Sequence, residues 1–284
     1  MSAPPPPPLP LLPLLRIGII ADVQHAPIDD GFSYSGTPRY YRHSLSAASS
    51  AARKFQEAEC DFAIDLGDVI DGQCKNLPGG PGPVLDSISE TLSEYKGEWF
   101  HTYGNHEMYC FDRQTIGERL GVPFVTEETG DLVAYYSVQK SGYRFVFLDN
   151  YDETVLSRSG PKAAAASSVL SSKNPNYASG SINSPYPSSG LNRRFVAFNG
   201  GVGPSQMSWL RSQLSLSRSL GESVVVSSHQ PLHPSTTPPI CLPFNYGEVL
   251  KLLREYSDVV VMTLAGHAHK GGYVESRGIH HIVD

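Results

Sequence analysis

No two of the cysteines form a close pair. Cys60, Cys74, Cys110 and Cys241 stand singly, with no CxxC, which argues against a cysteine-ligated structural zinc site and a disulfide framework. They read as free thiols in a reducing compartment, so the expected location is cytoplasmic. Positive charge is also short: 22 Lys and Arg against 28 Asp and Glu leave a net charge of -6. A nucleic-acid-binding face would normally be basic, so a small-molecule partner is expected and a nucleic acid is not. No apolar run is long enough to span a bilayer, and no membrane association is expected. The apolar start, "MSAPPPPPLPLLPLL", lacks the basic opening of a signal peptide, and its prolines break any helix. Residues 1–13 are expected to be a disordered, polyproline-like lead-in. No internal repeat occurs, and the expected state is a monomer.

What is present is an alternation of strands and helices. With 284 residues, 40% apolar and 18% charged, the chain suits one large α/β domain, taken as residues 14–284. "LLRIGIIA", "CDFAIDLG", "EWFHTYG", "ESVVVSSH" and "DVVVMTLAGH" read as buried strands, and "LVAYYSVQ" and "YRFVFLD" as short antiparallel ones. Helices are expected over "RYYRHSLSAASSAARKFQEA", Val84–Tyr95, "GPSQMSWLRSQLSLS" and "NYGEVLKLLREY". This alternation predicts a sheet covered on both faces by helices. Residues 157–192, rich in Ser, Pro, Asn and Gly, are expected to be a loop insertion outside the core.

Polar residues cluster just past the strands. Asp22 and Gln24 follow the first, Asp68 and Asp71 the second, and Asn105, His106 and Glu107 the third. His229 follows "VVVSS", and His267 and His269 follow "VVVMTLAG". Each has an ordinary reading by itself: an aspartate after a strand often caps a turn, and a histidine before a proline can be a satisfied core residue. Ligands, however, bind at the carboxyl ends of strands in open α/β sheets, and five strand ends supplying carboxylate, amide and imidazole point to cations. Two divalent ions about 3.5–4 Å apart require a bridging carboxylate, for which Asp68 is the candidate. Mixed oxygen and imidazole donors suit Mn, Fe, Co or Zn better than Ca or Mg.

The order D-x-Q, GDxxD, GNHE, H, GHxH resembles the calcineurin-like metallophosphoesterase superfamily. The wording of "ADVQHAPIDDGFSYSGTPRYYRHSL", "DLGDVIDG", "TYGNHEMY", "FNGG", "CLPFNY" and "GHAHKGGY" looks more narrowly like its manganese-dependent ADP-ribose/CDP-alcohol diphosphatases. The resemblance implies an α/β fold, a four-layer α/β/β/α sandwich of mixed sheets with helices on both outer faces. It implies one metal held by Asp22, Gln24, Asp68 and His269, and a second by Asp68, Asn105, His229 and His267. Manganese is the expected metal, with Mg, Co, Fe or Zn as alternatives. The implied reaction is metal-assisted hydrolysis of a nucleotide-diphosphate substrate such as ADP-ribose or CDP-choline. It would yield a nucleoside monophosphate and a phosphorylated alcohol or sugar. His106 would stabilise charge or donate a proton, with Asp71 orienting it. Phe32 and Tyr246 are candidates to stack on a base, Arg42 to pair with a phosphate, and Cys241 to lie near the substrate; Arg39 reads as a surface residue. Another phosphoesterase of the superfamily is the enzymatic alternative, and a truncated non-catalytic form is the other. Further strands are expected after "GIHHIVD" in such a family, so the C-terminal part of the domain reads as truncated.

Overall fold

The computed structural model describes residues 15–33 and 36–284; the proline-rich lead-in, residues 1–13, lies outside the described residues. Two sheets form. The first has three parallel strands in the order Ile17–Ile20, Phe62–Asp65, Glu98–His101. The second has six, in the order Gly272–Ser276, Ile279–Val283, Val260–Ala265, Ser223–Ser228, Tyr143–Phe147, Tyr136–Lys140. It is parallel in the middle and antiparallel at both ends.

Side-chain alternation along the strands fixes the layers. Phe62 and Ile64 from the first sheet meet Phe145, Phe147, Val225 and Leu264 from the second in one buried cluster, so the sheets stack face to face. The intervening residues Val146, Val224 and Val226 point the other way, onto Leu210, Leu214, Val249 and Leu253 of the Pro204–Leu220 and Tyr246–Glu255 helices. On the opposite outer face the Tyr41–Glu57 helix presents Tyr41, Leu45, Ala48 and Phe55, spaced as one apolar stripe, beside the Gly82–Leu92 helix. The result is the four-layer α/β/β/α sandwich. Strands buried on both faces explain why "FAID" and "VVVSS" carry no polar alternation.

Residues 157–192 depart from the expectation of a loop. Gly160–Lys173 is a helix, with Ala166 and Leu170 fully buried against Phe195, Ala197 and Phe244. Its apolar stripe is too narrow to stand out among the serines, while its alanines favour helix locally. Buried ion pairs hold it to the body: Arg158 with Asp131 at 3.1 Å, and Lys162 with Asp152 and Glu127. "LVAYYSVQ" also divides, Leu132–Val133 pairing in a small ribbon with Val125–Thr126 and only Tyr136–Lys140 joining the large sheet.

Candidate metal centre

All seven candidate ligands lie at the carboxyl ends of the two sheets. Asn105 and His106 open a short helix, Asn105–Cys110, directly after the third strand. Five of the seven have left-handed backbone: Asp22, Gln24, Asp68, His267 and His269, with φ of 51, 44, 60, 68 and 54°. Outside glycine such backbone is uncommon and collects at functional sites. The Gly67–Asp68 turn organises the others. Gly67 O accepts the Asp22 N–H (3.0 Å) and Asp68 O accepts the Gln24 N–H (2.8 Å). Leu66 O accepts from His229 Nδ1 (2.7 Å). Gly104 and Gly266 leave room for carboxylates: a Cβ at either would overlap Asp68 or Asp22.

The side chains fall into two sets that share Asp68 Oδ2. On one side Gln24 Nε2 is 3.2 Å from that oxygen and 3.3 Å from His269 Nε2, which is itself 3.2 Å from Asp22 Oδ1. On the other, His229 Nε2 lies 3.4 Å from Asp68 Oδ2, 3.3 Å from Asn105 Oδ1 and 3.1 Å from His267 Nδ1. Gln24 Oε1 and His267 Nε2 are buried with no hydrogen-bond partner among the described residues. Buried polar atoms are rarely left so, and donors crowded around one carboxylate suit a pair of cations. Burial alone would raise the Asp68 carboxyl, yet His229, His106 and His267 hold it well below the usual carboxylate range. Burial opposes charge on His229 too, but Asp68 pushes it up to about 10. Metal binding must then displace a proton, so affinity should rise with pH.

His106 stands outside both sets. Its Nδ1 lies between the Gly72 N–H (2.8 Å) and Asp71 Oδ2 (3.3 Å), and its Nε2 faces Asp68 Oδ2 at 3.9 Å. The charged ring carries a proton on each nitrogen, with Nδ1–H facing Asp71 and Nε2–H facing the centre. Burial lowers the His106 pKa, but Asp68 and Asp71 outweigh it and the net shift is upward.

The expected substrate residues are placed less closely. Arg42 pairs with Asp30 at 3.0 Å, with its side chain 64% exposed. Arg39 is the cation beside the site, 3.9 Å from Asp71 Oδ2 with its Nη1 buried and making no hydrogen bond among the described residues. The Gly31–Phe32 and Pro38–Arg39 ribbon turns it inward. A cleft of about 430 Å³ is lined by Asp22, Gln24, Arg39, Tyr41 and His269, and by none of Phe32, Arg42, Cys241 or Tyr246. Phe32 is 74% exposed, Cys241 packs on Ala265 and Ala268, and Tyr246 lies 5.3 Å from the Arg194 guanidinium.

Two supporting residues, Tyr151 and Tyr109, escape sequence reasoning, and a third, Glu107, stands in the sequence without an assigned role. Tyr151 donates to Asn105 Oδ1 (3.1 Å) while Asn105 Nδ2 donates to Tyr109 (3.2 Å), which aims the amide oxygen at His229. Glu107, fully buried, accepts the N–H groups of Asp68 (3.0 Å), Ile70 (3.3 Å) and Gly104 (3.0 Å). Glu107→Gln keeps one acceptor oxygen but turns an amide NH2 toward at least one of these donors, and should cost about 3 kcal/mol. Calorimetry should show the melting temperature falling by roughly 6–12 °C; an unchanged value would mean the cradle adds nothing.

The calcineurin-like phosphoesterase family profile matches residues 15–271. A relative from Oryza sativa subsp. japonica, named manganese-dependent ADP-ribose/CDP-alcohol diphosphatase, is 39% identical over 277 residues, 95% of this chain and 82% of that one. A relative of the same name from Homo sapiens is 35% identical over 287 residues, 95% and 81% of the two chains. The crystal structure of a dimetal phosphatase from Danio rerio superposes with a TM-score of 0.88 at 34% identity, covering 95% of this chain and 87% of that one. The chain therefore belongs to the calcineurin-like phosphoesterase family.

Proposed function

We propose that the protein is a dimetal hydrolase that cleaves the phosphoanhydride bond of nucleoside-diphosphate-linked substrates of the ADP-ribose and CDP-choline type. The observation that carries this reading is the pair of donor sets meeting at Asp68 Oδ2, in a chain whose relatives are named for that activity and for manganese. Asp22, Gln24, Asp68 and His269 would hold one ion, and Asp68, Asn105, His229 and His267 the other. Bound there, the ions would supply Lewis-acid stabilisation of phosphoryl charge and acidify the attacking water. The Arg39 guanidinium would bind a phosphate oxygen of the substrate. His106 Nε2 would donate to the leaving oxygen, with Asp71 holding the ring. The products would be a nucleoside monophosphate and a phosphorylated alcohol or sugar. Four free thiols support a reducing, cytoplasmic setting, and no helix among the described residues is long and apolar enough to cross a membrane. We take the working form as a monomer.

The test is hydrolysis by metal-stripped protein given manganese, with ADP-ribose and CDP-choline as separate substrates. Manganese-dependent release of AMP or CMP is expected. Turnover of simple phosphodiesters alone would sink the substrate class while leaving the site intact. Gln24 provides a finer check, because a neutral amide oxygen is a harder and weaker donor than imidazole. Gln24→His should move the metal optimum from manganese toward zinc or cobalt. If metal and substrate profiles both stay as they were, Gln24 plays no selecting part.

A further inference from the structure

Beside the metal centre, on residues to which the proposed reaction gives no role, lies a buried histidine–carboxylate pair. Asp65 ends one strand of the first sheet and His101 ends its neighbour, and the two stand opposite each other in the parallel ladder. Asp65 is fully buried and His101 is 9% exposed. His101 Nδ1 is 2.9 Å from Asp65 Oδ2; a carboxylate only accepts, so Nδ1 carries the proton. The other oxygen, Asp65 Oδ1, accepts the Gly67 N–H at 3.1 Å. The Trp99 ring stacks on His101 with centroids 5.9 Å apart and planes 22° from parallel, which fixes the imidazole plane.

What the pair holds is the turn that carries the site. Gly67 and Asp68 are consecutive left-handed residues, with φ of 94 and 60°, a conformation that persists only when its surroundings over-determine it. Leu66 O, Gly67 O and Asp68 O receive His229, Asp22 and Gln24 respectively. A shift of the Gly67 amide would therefore reach four of the seven candidate ligands together.

We propose that the His101–Asp65 pair is a positioning device for the metal centre. His101 fixes the Asp65 carboxylate, Asp65 fixes the Gly67 amide, and the turn so held sets the spacing of Asp22, Gln24, Asp68 and His229. Affinity for the divalent ions depends on that spacing, as it does wherever groups behind the ligands orient them. The inference rests on those four residues being ligands.

The test is manganese binding to the metal-free protein by titration calorimetry, with its melting temperature measured alongside. His101→Asn keeps an N–H close to the place of Nδ1, whereas His101→Gln carries the same amide one methylene farther out. His101→Asn should bind as the wild type does, and His101→Gln about 10–100-fold more weakly. A His101→Gln protein that melts earlier yet binds manganese with unchanged affinity would overturn the proposal, leaving the pair a purely structural one. Should that variant not fold, Asp65→Glu moves the carboxylate by one methylene and is read the same way: weaker binding supports the proposal and unchanged affinity overturns it. A wild-type chain that binds no manganese would sink the ligand assignment itself, and the inference with it.

Discussion

Asp68→Asn should lower kcat/KM by about 10³-fold with the fold intact, since removal of one preorganised electrostatic group in an active site commonly has that effect. Asp68 is the one side chain common to both donor sets, and its Oδ2 contacts Gln24 on one side and His229 on the other. Asparagine tolerates the left-handed backbone at this position. It also keeps an oxygen for the His106 N–H, which Asp68 Oδ1 accepts at 2.8 Å. What disappears is the negative charge required between two cations. Binding stoichiometry should fall along with the rate. A variant within tenfold of wild type and still binding two ions would show that the bridge lies elsewhere.

His106→Ala should cost about 10²–10⁴ in kcat, the range of a positioned acid or base, with manganese affinity little changed because His106 belongs to neither donor set. The sign of its pH dependence follows from its partners. Burial disfavours the charged ring, but Asp68 and Asp71 raise its pKa above the ordinary histidine value, so the protonated form survives to higher pH and is lost as pH rises through that pKa. Asp71→Asn removes one raising charge and should move the alkaline limb of the rate profile to lower pH. If that limb stays in place in Asp71→Asn and persists in His106→Ala, the titrating acid is some other group.

The candidate ligands are legible in the sequence because each combines a chemically informative residue with a fixed place, the first polar positions after a strand. Asp22 after "GIIA" and His229 after "VVVSS" need no knowledge of the partner strand to be found. Contacts made across the chain were not legible in this way. Tyr151 reaches Asn105 over 46 residues and carries no local sign of doing so. Arg39 and Arg42 have the same chemistry three residues apart, and only the fold-back of a two-residue ribbon decides which of them faces Asp71. The Gly160–Lys173 helix was hidden because only Ala166 and Leu170 are fully buried. Glu107 was visible as part of "GNHE", but nothing in that string reveals that its carboxylate serves three backbone amides on two different loops.

The five left-handed candidate ligand positions bear on how this protein could be engineered. Each such residue carries a penalty on the order of 1 kcal/mol relative to relaxed backbone, and together they approach the net stability of an ordinary domain. A campaign selecting only for heat resistance in the unloaded protein would be drawn to glycine at residues 22, 24, 68, 267 and 269, gaining robustness while dismantling the centre. Libraries aimed at a tougher enzyme should therefore hold these five codons constant, or score every survivor for retained manganese.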